Sequence, residues 1–420
     1  MSCDLPYARI SGGVTAPQGF QASAVSCGIK NPDADRLDLG LLVSDHPVVS
    51  HGMFTINRVK AAPVRVTQAH QRVEELRAVI VNSGNANACT GPDGTRDARN
   101  LCKAISKRLG LKQREVGVCS TGVIGLPLPM VRIEPHYDEL VERLSPQGGH
   151  DLSLAIITSD THEKEFALNY EFEGKTITIG GCTKGAGMIN PNMATMLAFI
   201  TTDAAISKAC LVSTMEIAVE NTFNRISIDG DMSTNDSVLV QANGAAGNDL
   251  IRRGSKACDA FAHALEFLML RLAKSIVRDG ERVTKFVTVK VQGARTRRDA
   301  RKVAQAVVNS SLVKCSWNGG DPNWGRIIHA VGYSGASIKE ELIDIYFGEL
   351  QACAGGLQSE VDPDEIRKVV AEEEFTITID LNLKDASHTI YTADLSPEYV
   401  DFNRSEYAYW MQARKDGLIK

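Results

Sequence analysis

Thr195 is the residue whose surroundings most suggest covalent chemistry. A threonine hydroxyl attacks poorly unless a base takes its proton. One solution is a threonine whose own α-amine does so once the peptide bond before it has been cut. Such a threonine has to follow a small residue in a deformable loop. Ala194 is small, and residues 184–192 contain Gly185, Gly187 and Pro191, which break regular structure, and Asn190 and Asn192, which can hydrogen-bond a strained carbonyl. The same Ala-Thr step also stands before an apolar run, residues 196–200. Taken alone, that pattern favours the start of a buried strand over a cleavage site.

Other chemistries find no support. Neither GxxxxGK[ST] nor GxGxxG after a strand occurs, and in Lys184-Gly185-Ala186-Gly187 the lysine precedes the glycines, the reverse of a phosphate loop. Residues 229–236 (DGDMSTND) imitate a calcium loop, but Thr234 and Val240 stand where Gly and Glu are required. That segment reads as a polar loop whose side chains cap their own backbone. No GxSxG or HExxH is present, and the ten cysteines are scattered without a CxxC, so reduced thiols and no metal are expected. His263, inside an apolar helix pattern, and His329, after two isoleucines, read as partly buried structural residues.

The elements that would position Thr195 alternate in type, which argues for a layered α/β (α+β) architecture. Residues 76–81 (LRAVIV) read as a strand ending in the loop NSGNAN (82–87). A helix follows with Ala98, Leu101, Cys102, Ile105 and Leu109 at helical spacing and Gly110 to stop it. Residues 116–119 form a second strand running into Ser120-Thr121-Gly122. If the two strands are parallel, both loops open at the same end, where ligands usually bind. Phe166, Leu168, Tyr170 and Phe172 alternate, Glu173-Gly174 turns, and Ile177 and Ile179 resume, which is a hairpin leading into the Gly-rich segment. Further on, helices are expected over 211–223, 261–276, 300–308 and 363–371, and strands over 237–242, 287–291 and 375–383. A C-terminal α+β unit would begin near residue 285.

Composition sets the outer bounds. The 420 residues are 43% hydrophobic and 23% charged, and 46 Lys plus Arg against 51 Asp plus Glu give a net charge of -5. Positive charge is nowhere concentrated, so a nucleic-acid partner is not expected. No apolar run approaches the roughly 20 residues of a membrane span, and the first 30 residues lack a signal-like apolar core. A cytoplasmic location with no membrane partner is the expectation.

Residues 184–204 (KGAGMINPNMATMLAFITTDA) resemble the self-processing site of the ornithine acetyltransferase family, the arginine-biosynthesis enzymes also called glutamate N-acetyltransferases. Supporting matches are TAPQGF (15–20), CGIK (27–30), NRVKAAPV (57–64), VNSGNANACTG (81–91), STGVIG (120–125), FNRISIDGDMSTND (223–236) and DPNWGRI (321–327). The resemblance runs from about residue 10 to 403. It implies a self-processing, N-terminal-nucleophile-like acetyltransferase fold cut between Ala194 and Thr195 into an α chain (1–194) and a β chain (195–420) that stay together as an α₂β₂ assembly. It further implies that Thr195 takes the acetyl group of N-acetylornithine and passes it to glutamate, with acetyl-CoA as a candidate second donor and no cofactor. Thr121 and Gly122 would hold the oxyanion, and Thr158, Lys184, Thr195, Glu281 and Asn403 would bind substrate.

Two stretches depart from the family pattern. The usual DGEGATK is DGERVTK here (279–285), so Arg282 replaces a glycine. Beyond Asn403, where family members carry a terminal hydroxyl residue that contacts substrate, this chain continues RSEYAYWMQARKDGLIK, and that contact does not carry over. Tyr407, Tyr409 and Trp410 could pack this tail elsewhere or close the pocket differently. Two other readings are a self-cleaving amidohydrolase or aminopeptidase, in which water resolves the acyl-enzyme, and a binding protein of the same fold without catalysis.

Overall fold

The computed structural model describes residues 7–31, 35–190, 196–404, 407–417 and 419. Its first body has four layers. The central six-stranded sheet runs in the order Ala8–Ile10, Lys164–Phe172, Lys175–Lys184, Leu197–Thr202, Ser237–Ala242, Val49–Phe54. Leu197–Thr202 and Ser237–Ala242 are buried at every position, as expected of strands covered on both faces. One face carries the helices Lys208–Asn221 and Lys256–Arg278, whose Leu211, Met215, Phe261, Leu265 and Leu268 meet Ile179, Ile200 and Val240. The other face meets a four-stranded sheet, with Cys182, Leu197, Phe199 and Leu239 against Phe20, Leu42, Val79 and Val81.

That smaller sheet runs Phe20–Val25, Leu39–Ser44, Ala78–Asn82, Val116–Ser120. Its outer face is covered by the helix Gly91–Leu109 through Ala98, Leu101, Cys102 and Ile105. Gly110 ends this helix in the left-handed region, at φ 66°. Ala78–Asn82 and Val116–Ser120 pair in parallel, Asn82 opposite Ser120. The loops that follow them therefore emerge side by side.

The hairpin Lys164–Phe172/Lys175–Lys184 turns on Glu173 (φ 50°) and Gly174 (φ 74°), with Phe172 paired to Lys175. Positive φ at both turn residues matches the right-handed strand twist, which makes a two-residue loop sufficient. Lys184, at the end of its second strand, thus lies beside Leu197.

A seven-stranded sheet follows, built from strands within 286–393 together with Ile226–Ser227, which pairs with Tyr391 and Thr392. The helices Arg297–Val308, Ser311–Asn318 and Trp324–Tyr333 bury Val303, Val307, Trp317 and Ile327 against Val287, Val289 and Ile377. Pro363–Ala371 is helical, and the strand Glu374–Asp380 alternates buried and half-buried residues after an exposed Glu374. Both histidines differ from expectation, being exposed. His263 stands off the stripe made by Phe261, Ala264 and Leu265, and His329 lays its ring against Tyr333 at 5.2 Å. Among the described residues no helix is long and apolar enough to cross a membrane.

Candidate active site

Three loops are laced together where the two sheets end. Asn82 and Asn85, in the first, do most of the joining. Ser120 Oγ donates to Asn82 Oδ1 (2.5 Å), Asn82 Nδ2 to Asn85 O (2.9 Å), and Asn85 Nδ2 to Leu126 O (3.2 Å) and Pro127 O (3.0 Å). The third loop enters through Asn235, whose Nδ2 donates to Ala86 O (2.7 Å) and Ser120 O (2.8 Å). Buried amides that satisfy several carbonyls at once are costly to remove, so the loops hold one geometry.

Gly122 occupies the tightest point. Its φ is 133°, and a Cβ there would lie 2.3 Å from Gly84 C and 2.5 Å from Asn85 N. Only glycine fits. Its N–H takes no partner among the described residues, while Thr121 N is used up on Asn82 O (3.0 Å). A backbone donor held rigidly and left free, beside a threonine hydroxyl, is suited to a developing oxyanion.

Lys184 is buried, and its Nζ donates to Thr158 Oγ1 (2.8 Å) and stands 3.7 Å from Asp160 Oδ2. Charges of alternating sign continue inward. Lys164 Nζ bonds Asp160 Oδ1 (2.7 Å) and Asp279 Oδ2 (2.5 Å), and Asp160 also accepts the N–H groups of Thr158 (2.9 Å) and Gly185 (2.7 Å). Burial alone would raise the Asp160 carboxyl, but Lys184, Lys164 and these donors outweigh it and hold it far below the ordinary range. Burial lowers the Lys184 ammonium, with Asp160 opposing. A buried charge chain of this kind is stabilising only while complete.

Asp160→Asn should therefore cost about 3–5 kcal/mol at pH 7. Because the folded carboxyl titrates below its unfolded value of about 3.9, its contribution is present above that pH and is lost as the pH falls through the folded pKa. Denaturant melts of wild type and variant should accordingly stay apart down to about pH 4 and draw together only in stronger acid, as the pH falls toward the folded pKa.

The same network places the anion. Asp279 accepts the N–H of Thr161 (3.0 Å) and is two residues from Glu281, whose N–H donates to Ala186 O (2.8 Å). The Glu281 carboxylate lies against Gly187, where a Cβ would come within 2.6 Å of it. Asn403 Nδ2 donates to Glu281 Oε2 (3.1 Å). A cavity of about 300 Å³ is lined by Thr121, Gly122, Thr158, Lys184, Glu281 and Asn403, so six of the seven residues expected to act on substrate or its oxyanion face one space. The seventh, Thr195, and its neighbour Ala194 lie outside the described residues.

Several residues that build this network carry no signal in the sequence. Asp160 and Lys164 carry no motif. Residues 229–236 do cap themselves, Asp229 accepting Asp231 N–H at 3.1 Å, but their reach is longer. Asp229 also holds the N–H groups of Met188 and Ile189 (2.5 and 2.8 Å), and Asp236 Oδ1 accepts the N–H of Met196 (2.9 Å), the amide formed with residue 195. Asp236 is buried, its Oδ2 has no partner among the described residues, and burial pushes its pKa well above the carboxylate range. Arg282, in the divergent DGERVTK stretch, keeps a left-handed φ of 57° that glycine would adopt freely, and sets its guanidinium 4.8 Å from the Phe402 ring.

Such a cavity, set into a layered α/β body, is that of a small-molecule enzyme, charged and sized for an amino acid. Comparison with known proteins gives the family. The model described as the ArgJ family matches residues 21–408, and this chain belongs to that family. It is similar to the "Arginine biosynthesis bifunctional protein ArgJ" of Symbiobacterium thermophilum, 46% identical over 94% of this chain and 98% of that protein. Its namesake in Geobacter sulfurreducens is 47% identical over 92% and 98%. A solved ornithine acetyltransferase complexed with ornithine, from Mycobacterium tuberculosis, is 40% identical over 44% of this chain and 98% of that chain, with a TM-score of 0.41.

Proposed function

We propose that this protein transfers an acetyl group from N2-acetylornithine to glutamate through an acetyl ester on Thr195, after cutting itself between Ala194 and Thr195. The observation that carries this reading is the single cavity shared by Lys184, Glu281, Thr158, Asn403 and the Thr121-Gly122 pair. An amino acid brings one carboxylate and one ammonium, and Lys184 and Glu281 answer them.

In the first half-reaction the freed α-amine of Thr195 takes the hydroxyl proton and Oγ attacks the acetyl carbonyl. The tetrahedral oxygen is held by the Thr121 hydroxyl and the Gly122 N–H, and the amine proton passes to ornithine as it leaves. Glutamate then enters with its α-carboxylate on Lys184, its amine attacks the acetyl ester, and the Thr195 oxygen recovers its proton. Asp236 anchors the amide that follows Thr195. Acetyl-CoA is a second candidate donor, the cut chains 1–194 and 195–420 remain associated, and α₂β₂ is the proposed assembly.

Purified protein supplied with N2-acetylornithine should yield ornithine and acetylglutamate only when glutamate is present. Free acetate released without regard to glutamate would replace this reading with hydrolysis. Glu281→Gln should raise KM for N2-acetylornithine by about ten- to a hundredfold, the loss of one charged hydrogen-bond partner, with a smaller change in kcat. Steady-state kinetics in both substrates tests it.

A further inference from the structure

The loop carrying Thr121 and Gly122 is held on one side by residues 82–88, through Val123 N to Gly84 O (3.4 Å), Gly125 N to Ala88 O (2.9 Å) and the Asn85 amide. Ile124 packs against Ala61, Val64, Ala86 and Ala88, and the apolar contacts of Val123 and Leu126 include the far end of the chain. Val123 and Leu126 form a small buried cluster with Ala413, which is 4% exposed although it lies on a nine-residue terminal helix, Tyr407–Lys415. Trp410, on the same helix, lies over Gly125, where a Cβ would come within 3.1 Å of its ring. The side chains of Tyr407 and Tyr409 lie outside the described set. Just past the helix, Asp416 accepts from Arg132 Nη2 (3.0 Å), both side chains being largely covered, and Arg132 Nη1 donates to Gly28 O (3.0 Å).

The opposite wall of the cavity is built by the preceding turns of this tail. Phe402 and Asn403 line it, pinned by Arg282 and Glu281, and Tyr399 donates to Asp229 (3.4 Å). One tail therefore touches the anionic wall and the oxyanion loop. Trp410, Ala413 and Asp416 all lie beyond residue 408, where the family match ends.

We propose that Trp410, Ala413 and Asp416 are positioning residues: the terminal helix clamps residues 121–126 so that the Thr121 and Gly122 donors stay aimed at the reacting carbonyl. The inference rests on the acetyl-transfer reading above. A donor displaced by about 1 Å can cost about a hundredfold in rate without touching substrate affinity, because it acts on charge that appears only in the transition state.

The test uses full-length Ala413→Glu, which sets a charge in the buried cluster, beside Trp410→Ala and Trp410→Phe. Amide hydrogen exchange at residues 121–126 reports the clamp, and steady-state kinetics with N2-acetylornithine and glutamate reports its effect. Faster exchange in Ala413→Glu, with kcat down about tenfold or more and KM within about threefold, is expected. Trp410→Ala should behave likewise in milder form, and Trp410→Phe should restore kcat. Unchanged exchange in both Ala413→Glu and Trp410→Ala, or faster exchange with full kcat, overturns the proposal. An inactive wild type that still shows the exchange difference would count against acetyl transfer and leave the clamp standing.

Discussion

Thr195→Ala is expected to run as one chain of 45.5 kDa and to form no acetylglutamate, while wild type separates under denaturing conditions into pieces corresponding to 1–194 and 195–420. The variant lacks the oxygen that would attack the Ala194 carbonyl, so the α-amine proposed as base would never be made. Nucleophile and base vanish together, and loss of either alone in comparable enzymes costs several orders of magnitude in kcat. Thr195→Ser keeps the hydroxyl and should still mature. Intact-mass measurement and N-terminal sequencing decide the matter. Cleavage of Thr195→Ala at the same bond would remove Thr195 from the role given to it.

Thr121→Val and Gly122→Ala should each lower kcat by about a hundred- to a thousandfold, the usual cost of one oxyanion donor, roughly 3 kcal/mol. The two act differently. Thr121→Val removes a hydroxyl and keeps the volume. Gly122→Ala keeps the N–H but forces it away, because the new Cβ would meet the Gly84–Asn85 backbone at 2.3–2.5 Å and backbone atoms cannot rotate aside. Gly247→Ala is the fitting control: φ is again positive, 65°, but nothing lies within 4 Å of the added carbon. It should cost about 1 kcal/mol of stability and leave kcat intact. Equal effects at Gly122 and Gly247 would show that backbone strain, rather than the donor, is responsible.

Periodicity and turn chemistry made much of the fold legible. Glu173-Gly174 could hardly be anything but a two-residue turn, Gly110 marks the helix end, and the stripe from Phe261 to Ile276 is the buried face of one long helix. Parallel pairing of the strands ending at Asn82 and Ser120 could be framed only as a condition, because pairing is decided between segments far apart in the chain. Candidate site residues came from the family resemblance, and those within the described residues meet at one cavity. What stayed hidden has a common cause. Lys164 and Asp279 are 115 residues apart, and Asn235 bonds carbonyls 149 and 115 residues away. Charges and amides that neutralise one another across such separations leave no local pattern. His263 errs in the opposite direction: an apolar neighbourhood in sequence says nothing of the angle at which one side chain leaves the helix.

In the six-stranded sheet, the two strands that come from after residue 195 are inserted between strands that come from before it, with Lys175–Lys184 on one flank and Val49–Phe54 on the other. A break between Ala194 and Thr195 would sever one covalent link and none of the hydrogen-bonded ladders described above. Neither product could leave without tearing the sheet on two fronts, so the proposed scission would follow folding. Halves expressed from separate genes would have to thread into one another to reproduce what a single ribosomal product achieves unaided.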